Sequence, residues 1–92
     1  MSVGMKEVLF SAHARERMRE RGATEAEVLD AIETGERAPA REGRAEYRKV
    51  FPFHGLWQGR RYWEKEVVAV VAEEETRAVV VTVFVFYRGV EG

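Results

Sequence analysis

Apolar positions follow one rule up to Gly35 and another beyond Pro39. In the first part Phe10, Ala14 and Met18 recur at four-residue spacing, and Val28, Leu29 and Ile32 follow after a short break. The first stripe predicts a helix over Ala12 to Arg21. Ser11 can accept from an unpaired amide of its first turn, and Gly22 can close its last turn in a left-handed conformation. Thr24 and Glu27 have the spacing of a capping box, so a second helix starts there and Gly35 ends it. The link between the two helices is short, which predicts an antiparallel helical hairpin.

Beyond Pro39 the period is two. Tyr47, Lys49, Phe51 and Phe53 alternate with Arg48, Val50 and Pro52, a first strand whose end Pro52 marks as edge-like. His54 to Gly59 reads as a loop between glycines, Arg61 to Ala72 as a second strand, and Glu73 to Thr76 as a polar turn. Ala78 to Tyr87 reads as a third strand, apolar on both faces from Val79 to Phe86. Such a run belongs inside a sheet covered on both sides. The hairpin covers one side. Either Val8-Leu9-Phe10 with the Trp57 and Trp63 region, or a second subunit, is expected to cover the other. The expected fold is therefore a single α+β domain over residues 1–92: an N-terminal antiparallel helical hairpin packed on a three- to four-stranded antiparallel sheet. A short extra strand at the N-terminus is compatible with it, and a homodimer is expected.

Composition removes several function classes. A chain of 92 residues, 46% apolar and 34% charged, can close one core and is not disordered. No apolar run reaches the ~18 residues of a membrane span. Met1 to Glu7 lacks the basic start and apolar stretch of a signal peptide. With no cysteine there is no disulfide, thiolate zinc site or thiol nucleophile. A cytoplasmic protein with no membrane partner is the expectation. Asn is missing, Gln58 is the single Gln, and Arg outnumbers Lys twelve to three. A heat-adapted source and a GC-rich genome explain that bias equally well.

Charge is distributed unevenly. The total is −1, yet Arg37, Arg41, Arg44, Arg48, Lys49, Arg60 and Arg61 face only Glu42 and Glu46 between positions 37 and 61. In that basic middle, Arg44, Arg48, Arg60 and Arg61 interleave with Tyr47, Phe51, Phe53, Trp57, Tyr62 and Trp63. Guanidiniums for phosphates and rings for unstacked bases are what a single-stranded RNA surface requires. Core packing of the rings, with arginines guarding the sheet edge, is the plainer explanation. In the first helix, His13, Arg17 and Arg21 stack at four-residue spacing. Guanidiniums on that face disfavour a charged imidazole, so His13 could act as a general base beside a phosphate held by the arginines. His54, in the glycine-bracketed loop near Arg60 and Arg61, could supply an acid. No metal or other cofactor is expected, because the two histidines lie in separate elements with no ligand spacing between them.

The string Phe10-Ser11-Ala12-His13-Ala14-Arg15-Glu16-Arg17-Met18-Arg19-Glu20-Arg21-Gly22 resembles the opening signature of a small bacterial family of unknown function: phenylalanine, Ser or Thr, any residue, His-Ala, then an Arg-Met-x-x-Arg-Gly turn. Val79-Val80-Val81-Thr82-Val83 is similar to the family's valine-rich strand. The resemblance implies a fold like that of the RelE and BrnT toxins and a metal-independent endoribonuclease acting on single-stranded RNA, with an acidic antitoxin as partner. It points to His13 as base or acid and to Arg17 and Arg21 beside it. To these the basic strand adds Arg48 as a further phosphate clamp and Tyr47 as a stacking or proton-transfer group, with Arg44, Arg60, Arg61, Trp57 and His54 as RNA contacts. The alternative is a non-catalytic protein-interaction module, or a homodimeric structural protein, of the same fold. The chain departs from the family in a longer segment from Phe53 to Gly59. Of a tyrosine/arginine C-terminal tail it has only Tyr87 and Arg88.

Overall fold

The helices begin and end where their capping residues dictate. Ser11 is extended and its Oγ accepts from the amide of Ala14, which starts α1 (Ala12–Arg21); Gly22, at φ 80°, donates its N–H to the Met18 carbonyl and ends it. Thr24 and Glu27 form both arms of a capping box at the start of α2 (Glu25–Thr34). The computed structural model describes residues 7–89. Met1 to Lys6, which carried most of the signal-peptide reading, lie outside the described residues.

Five strands complete the chain: β1 (Glu7–Phe10), β2 (Glu36–Pro39), β3 (Ala45–Trp57), β4 (Arg60–Glu73) and β5 (Arg77–Arg88). They form one sheet in the order β1-β5-β4-β3-β2. β1 is parallel to β5, and every other neighbouring pair is antiparallel. The expected three- to four-stranded antiparallel sheet under a helical hairpin is thus corrected to a sheet-dominated α+β fold with a five-stranded mixed sheet. Strand makes up 57% of the structure, so the sheet is the frame and the helices are its cover.

Each correction has a local cause. β2 is too short and too polar (Glu-Arg-Ala-Pro) to show an alternating pattern; a 3₁₀ turn over Arg41–Gly43, where Glu42 and Gly43 take φ of 60° and 72°, leads the chain from it into β3. β3 does not stop at Pro52. It continues through the expected loop by a bulge between Pro52 and Gly55, with His54 at φ 49°. The true turn is Gln58-Gly59, both at positive φ, as a two-residue hairpin requires. The two helices do not form a mutually packed hairpin either. α1 lies on β5 and α2 on β4 and β3, because their apolar stripes are short and fully occupied by the sheet.

The core lies between helices and sheet. Ala14, Met18, Val28 and Ile32 meet Ala45, Tyr47, Val67, Ala69, Val71, Ala78, Val80 and Val83, with Val8, Phe10, Phe51 and Val85 packed around them. Buried Lys65 crosses this layer: its ammonium donates to the Gly22 carbonyl at 2.7 Å and pairs with Glu27 at 2.8 Å. The turn between the helices is thereby fastened to β4.

β5 loses its β1 neighbour after Val80, which exposes a sheet edge. The first helix guards it. Ser11 donates through Oγ to the Val81 carbonyl, and Arg21 donates to the Val83 carbonyl at 2.7 Å.

Candidate functional site

The structure separates the residues that a phosphate site would have to gather. His13 is exposed on α1 and makes no hydrogen bond, ion pair or ring contact among the described residues. Arg17 pairs with Glu20 at 2.6 Å. Arg21 caps the β5 edge and lies over the Phe84 ring at 4.9 Å. Tyr47 is 3% exposed on the helix side of the sheet, where its hydroxyl donates to Glu73. Burial, and then the Glu73 carboxylate, raise its pKa, so the phenol keeps its proton. Buried in the core, this ring cannot stack on a base. Arg48 occupies the opposite face of the sheet, beside Val68, which is buried yet outside the core cluster. His13 and Arg17 therefore lie in the helical layer, Tyr47 in the core and Arg48 on the far side.

The basic middle of the chain is neutralised in three dimensions, largely by acids from other segments. Arg37 pairs with Glu73 at 2.6 Å, and Lys49 with Asp30 at 3.0 Å. Lys49 first, then Thr34, hold the Asp30 carboxyl below its ordinary range. Arg48 pairs with Glu46 at 2.7 Å and Glu66 at 3.5 Å. Glu46 is the larger reason its guanidinium stays charged. Arg44 sits 3.6 Å from Glu42. Arg60 and Arg61 are exposed at the far end of the β3–β4 hairpin.

The rings of that hairpin divide into packed and open ones. Trp57 stacks on Tyr87 with centroids 4.9 Å apart, and Phe53 and Tyr62 meet the same tyrosine. The Tyr87 hydroxyl donates to the Arg21 carbonyl at 2.8 Å, and this aromatic group closes over Gly22. Trp57 is thus tied into packing. His54 lies edge-on to Trp63, which is 43% exposed.

A different constellation occupies the middle of the sheet face turned away from the helices. Among the described residues no element crosses this face. Strand register arranges it in rows: Arg48, Val68 and Phe84; then Val50, Glu66 and Phe86. Val50, Phe84 and Phe86 are 41%, 40% and 50% exposed, while Glu66 is 8% exposed between them. Glu66 accepts from Arg48 and from Arg88, so two guanidiniums arch over one sunken carboxylate. Towards β2 the face leads through Glu46 and Val70 into a cavity of about 640 Å³, lined also by Pro39, Ala40, Arg41 and Arg44. Sequence reading gave Glu66 no role, placed Phe84 and Phe86 only within an apolar run, and named Arg88 only as a remnant of a C-terminal tail. The signal was the run apolar on both faces, which required a second cover without saying which residues would be left open.

No group of three or more His, Asp or Glu side chains that could hold a metal occurs among the described residues, and no helix there is long and apolar enough to cross a membrane. Residues 10–85 match the family model described as a domain of unknown function, DUF4258, and the chain belongs to that family. No curated protein and no solved structure matches it.

Proposed function

Taking membership of this domain family as the premise, we propose that the chain is a non-catalytic protein-interaction module that docks another polypeptide on the helix-free face of its sheet. One observation carries the reading: Val50, Phe84 and Phe86 stand open side by side in the middle of the sheet, where a monomer would ordinarily bury them. Charge favours a protein over a nucleic acid there. Counting Arg41 and Arg44 at the adjoining cavity, the face sets Glu36, Glu46, Glu64 and Glu66 against four cations, the other two being Arg48 and Arg88. Phosphate binding draws on cations in excess, and both of these guanidiniums already hold carboxylates. An acidic partner such as an antitoxin would find matching charge at Arg41 and Arg44 beside the cavity.

The test is a photoreactive phenylalanine analogue placed in cells at Phe86, with Leu29 on the helical side as control. Polypeptide adducts from position 86 and none from 29 are expected. RNA adducts from 86, or no adducts, would reject the docking reading.

A second reading is favoured by the hairpin tip. From His54 to Trp63 the chain carries exposed Arg60, Arg61 and Trp63 and no acid, a combination suited to single-stranded RNA. It is the part of the toxin-type endoribonuclease assignment that this end of the hairpin favours. Binding of a single-stranded oligonucleotide should then weaken with salt at a logarithmic slope of about 1–2, as two phosphate contacts imply, and should vanish in Arg60→Ala/Arg61→Ala. Cleavage in excess EDTA that is lost in His13→Ala would place catalysis above docking. Neither binding nor cleavage would end this reading.

A further inference from the structure

Resting on the docking reading, we infer that the occupant of the helix-free face is a second copy of this chain, packed sheet to sheet about a twofold axis running along β4. The face is built of two unlike halves. Its β5 side offers the phenyl rings of Phe84 and Phe86, and its β3 side offers Arg48 and Val50 in the same two rows, with Val68 and Glu66 of β4 between them. A twofold axis along the central strand lays each half on the other and keeps the rows in step. Phe84 then faces Arg48 of the partner subunit, and Phe86 faces Val50 of the partner subunit.

That pairing is chemically complementary in both rows. A guanidinium over a phenyl ring is attractive, most of all when water is removed from both. The chain already uses the same contact once, since Arg21 lies over Phe84 at 4.9 Å while that ring remains 40% exposed. The other in-plane twofold, across the strands, sets each strand on its own copy and so brings no ring over Arg48. Along β4 the axis brings Glu64 and Glu66 each near its own copy; the Glu66 carboxylates are held within their own chains by Arg48 and Arg88, and Glu64 is the like-charge cost of this arrangement.

The size of the face fits a reversible association. Four rows of alternating residues cover β3, β4 and β5, and two of them extend onto β2; from the rise per residue and strand spacing of a sheet they cover roughly 450 Å². Two such faces together hide on the order of 1,000 Å², the lower bound for a specific interface. An interface of that size belongs with weak, reversible associations, populated at high concentration and lost on dilution.

The chain has no cysteine, so introduced thiols report without background. Packed sheets lie about 10 Å apart, beyond the reach of a disulfide, so the probe is a short bismaleimide. Phe86→Cys mixed with Val50→Cys should give several-fold more cross-linked product than either variant alone. Sedimentation equilibrium of the unchanged chain should show a monomer–dimer equilibrium that Phe86→Glu, and independently Val50→Glu, shift to monomer with an unchanged circular dichroism spectrum. A chain that stays monomeric at submillimolar concentration overturns the inference, as does equal cross-linking of each variant with itself. If the chain is monomeric while the Phe86 photoadduct contains a different polypeptide, the second copy is the wrong occupant and the docking reading stands. If the photoadduct fails as well, both fall.

Discussion

Two buried polar side chains show how far single residues can be read. Lys65 has the composition of a solvent-facing position, one step before an apolar run, and nothing in its neighbours marks it as internal. Only the fold places the helix turn above it, with the Gly22 carbonyl and Glu27 as partners. Lys65→Ala should cost about 3 kcal/mol in chemical denaturation, towards the low side for a broken buried pair because Glu27 keeps some solvent contact. A loss below about 1 kcal/mol, the range of surface pairs, would contradict this. Tyr47 was legible as an inward-facing residue from its alternation, but its bond to Glu73 spans two strands and was not. The neutral phenol is favoured in the folded state, so Tyr47 contributes stability that is fully present below its ordinary pKa of about 10 and is lost as pH rises through the higher folded value. The denaturation midpoint should fall above pH 10, and Tyr47→Phe should flatten that fall. An unchanged slope in the variant would assign the fall to other groups, such as Tyr87, whose pKa is also raised, chiefly by burial.

At the scale of elements, local rules worked where the determinant was local. Ser11, Gly22 and the Thr24–Glu27 box act within four residues, and the sequence shows them directly. β2 and the register of β3 depend on what lies across the sheet, so neither the four-residue edge strand nor the passage of β3 through Pro52 could be read in advance. Two glycines separate these influences. At Gly22 a methyl group would lie 2.5 Å from the Tyr87 hydroxyl and 2.8 Å from the Trp57 ring, in addition to the unfavourable φ of 80°. At Gly43, φ 72°, it would meet nothing within 4 Å. Gly43→Ala should therefore cost about 1 kcal/mol, the backbone term alone. Gly22→Ala should cost about 3 kcal/mol once overpacking is added. Equal losses, measured side by side in urea, would mean that the aromatic group over the helix turn is not packed as described.

For the molecule as a whole, the basic middle of the chain is a true but misleading signal. A linear count finds cations in excess; the fold pairs Arg37 with Glu73, Lys49 with Asp30 and Arg48 with Glu66, each acid arriving from another segment. The His13–Arg17–Arg21 stack was equally visible in the sequence, yet its members face solvent, Glu20 and the β5 edge. The demand for a second cover over the sheet follows from apolar residues on both faces of β5 and needs no knowledge of topology; Val8-Leu9-Phe10, expected as part of that cover, instead joins the sheet as β1. The face carrying Val50, Phe84 and Phe86 is where that demand is left open. Hydroxyl-radical footprinting in intact cells, compared with the dilute purified chain, tests it most directly. Phe84 and Phe86 should be protected in cells while Leu29 and Trp63 react equally in both; unchanged reactivity at the two phenylalanines, or protection confined to Trp63, would contradict a polypeptide docked on that face.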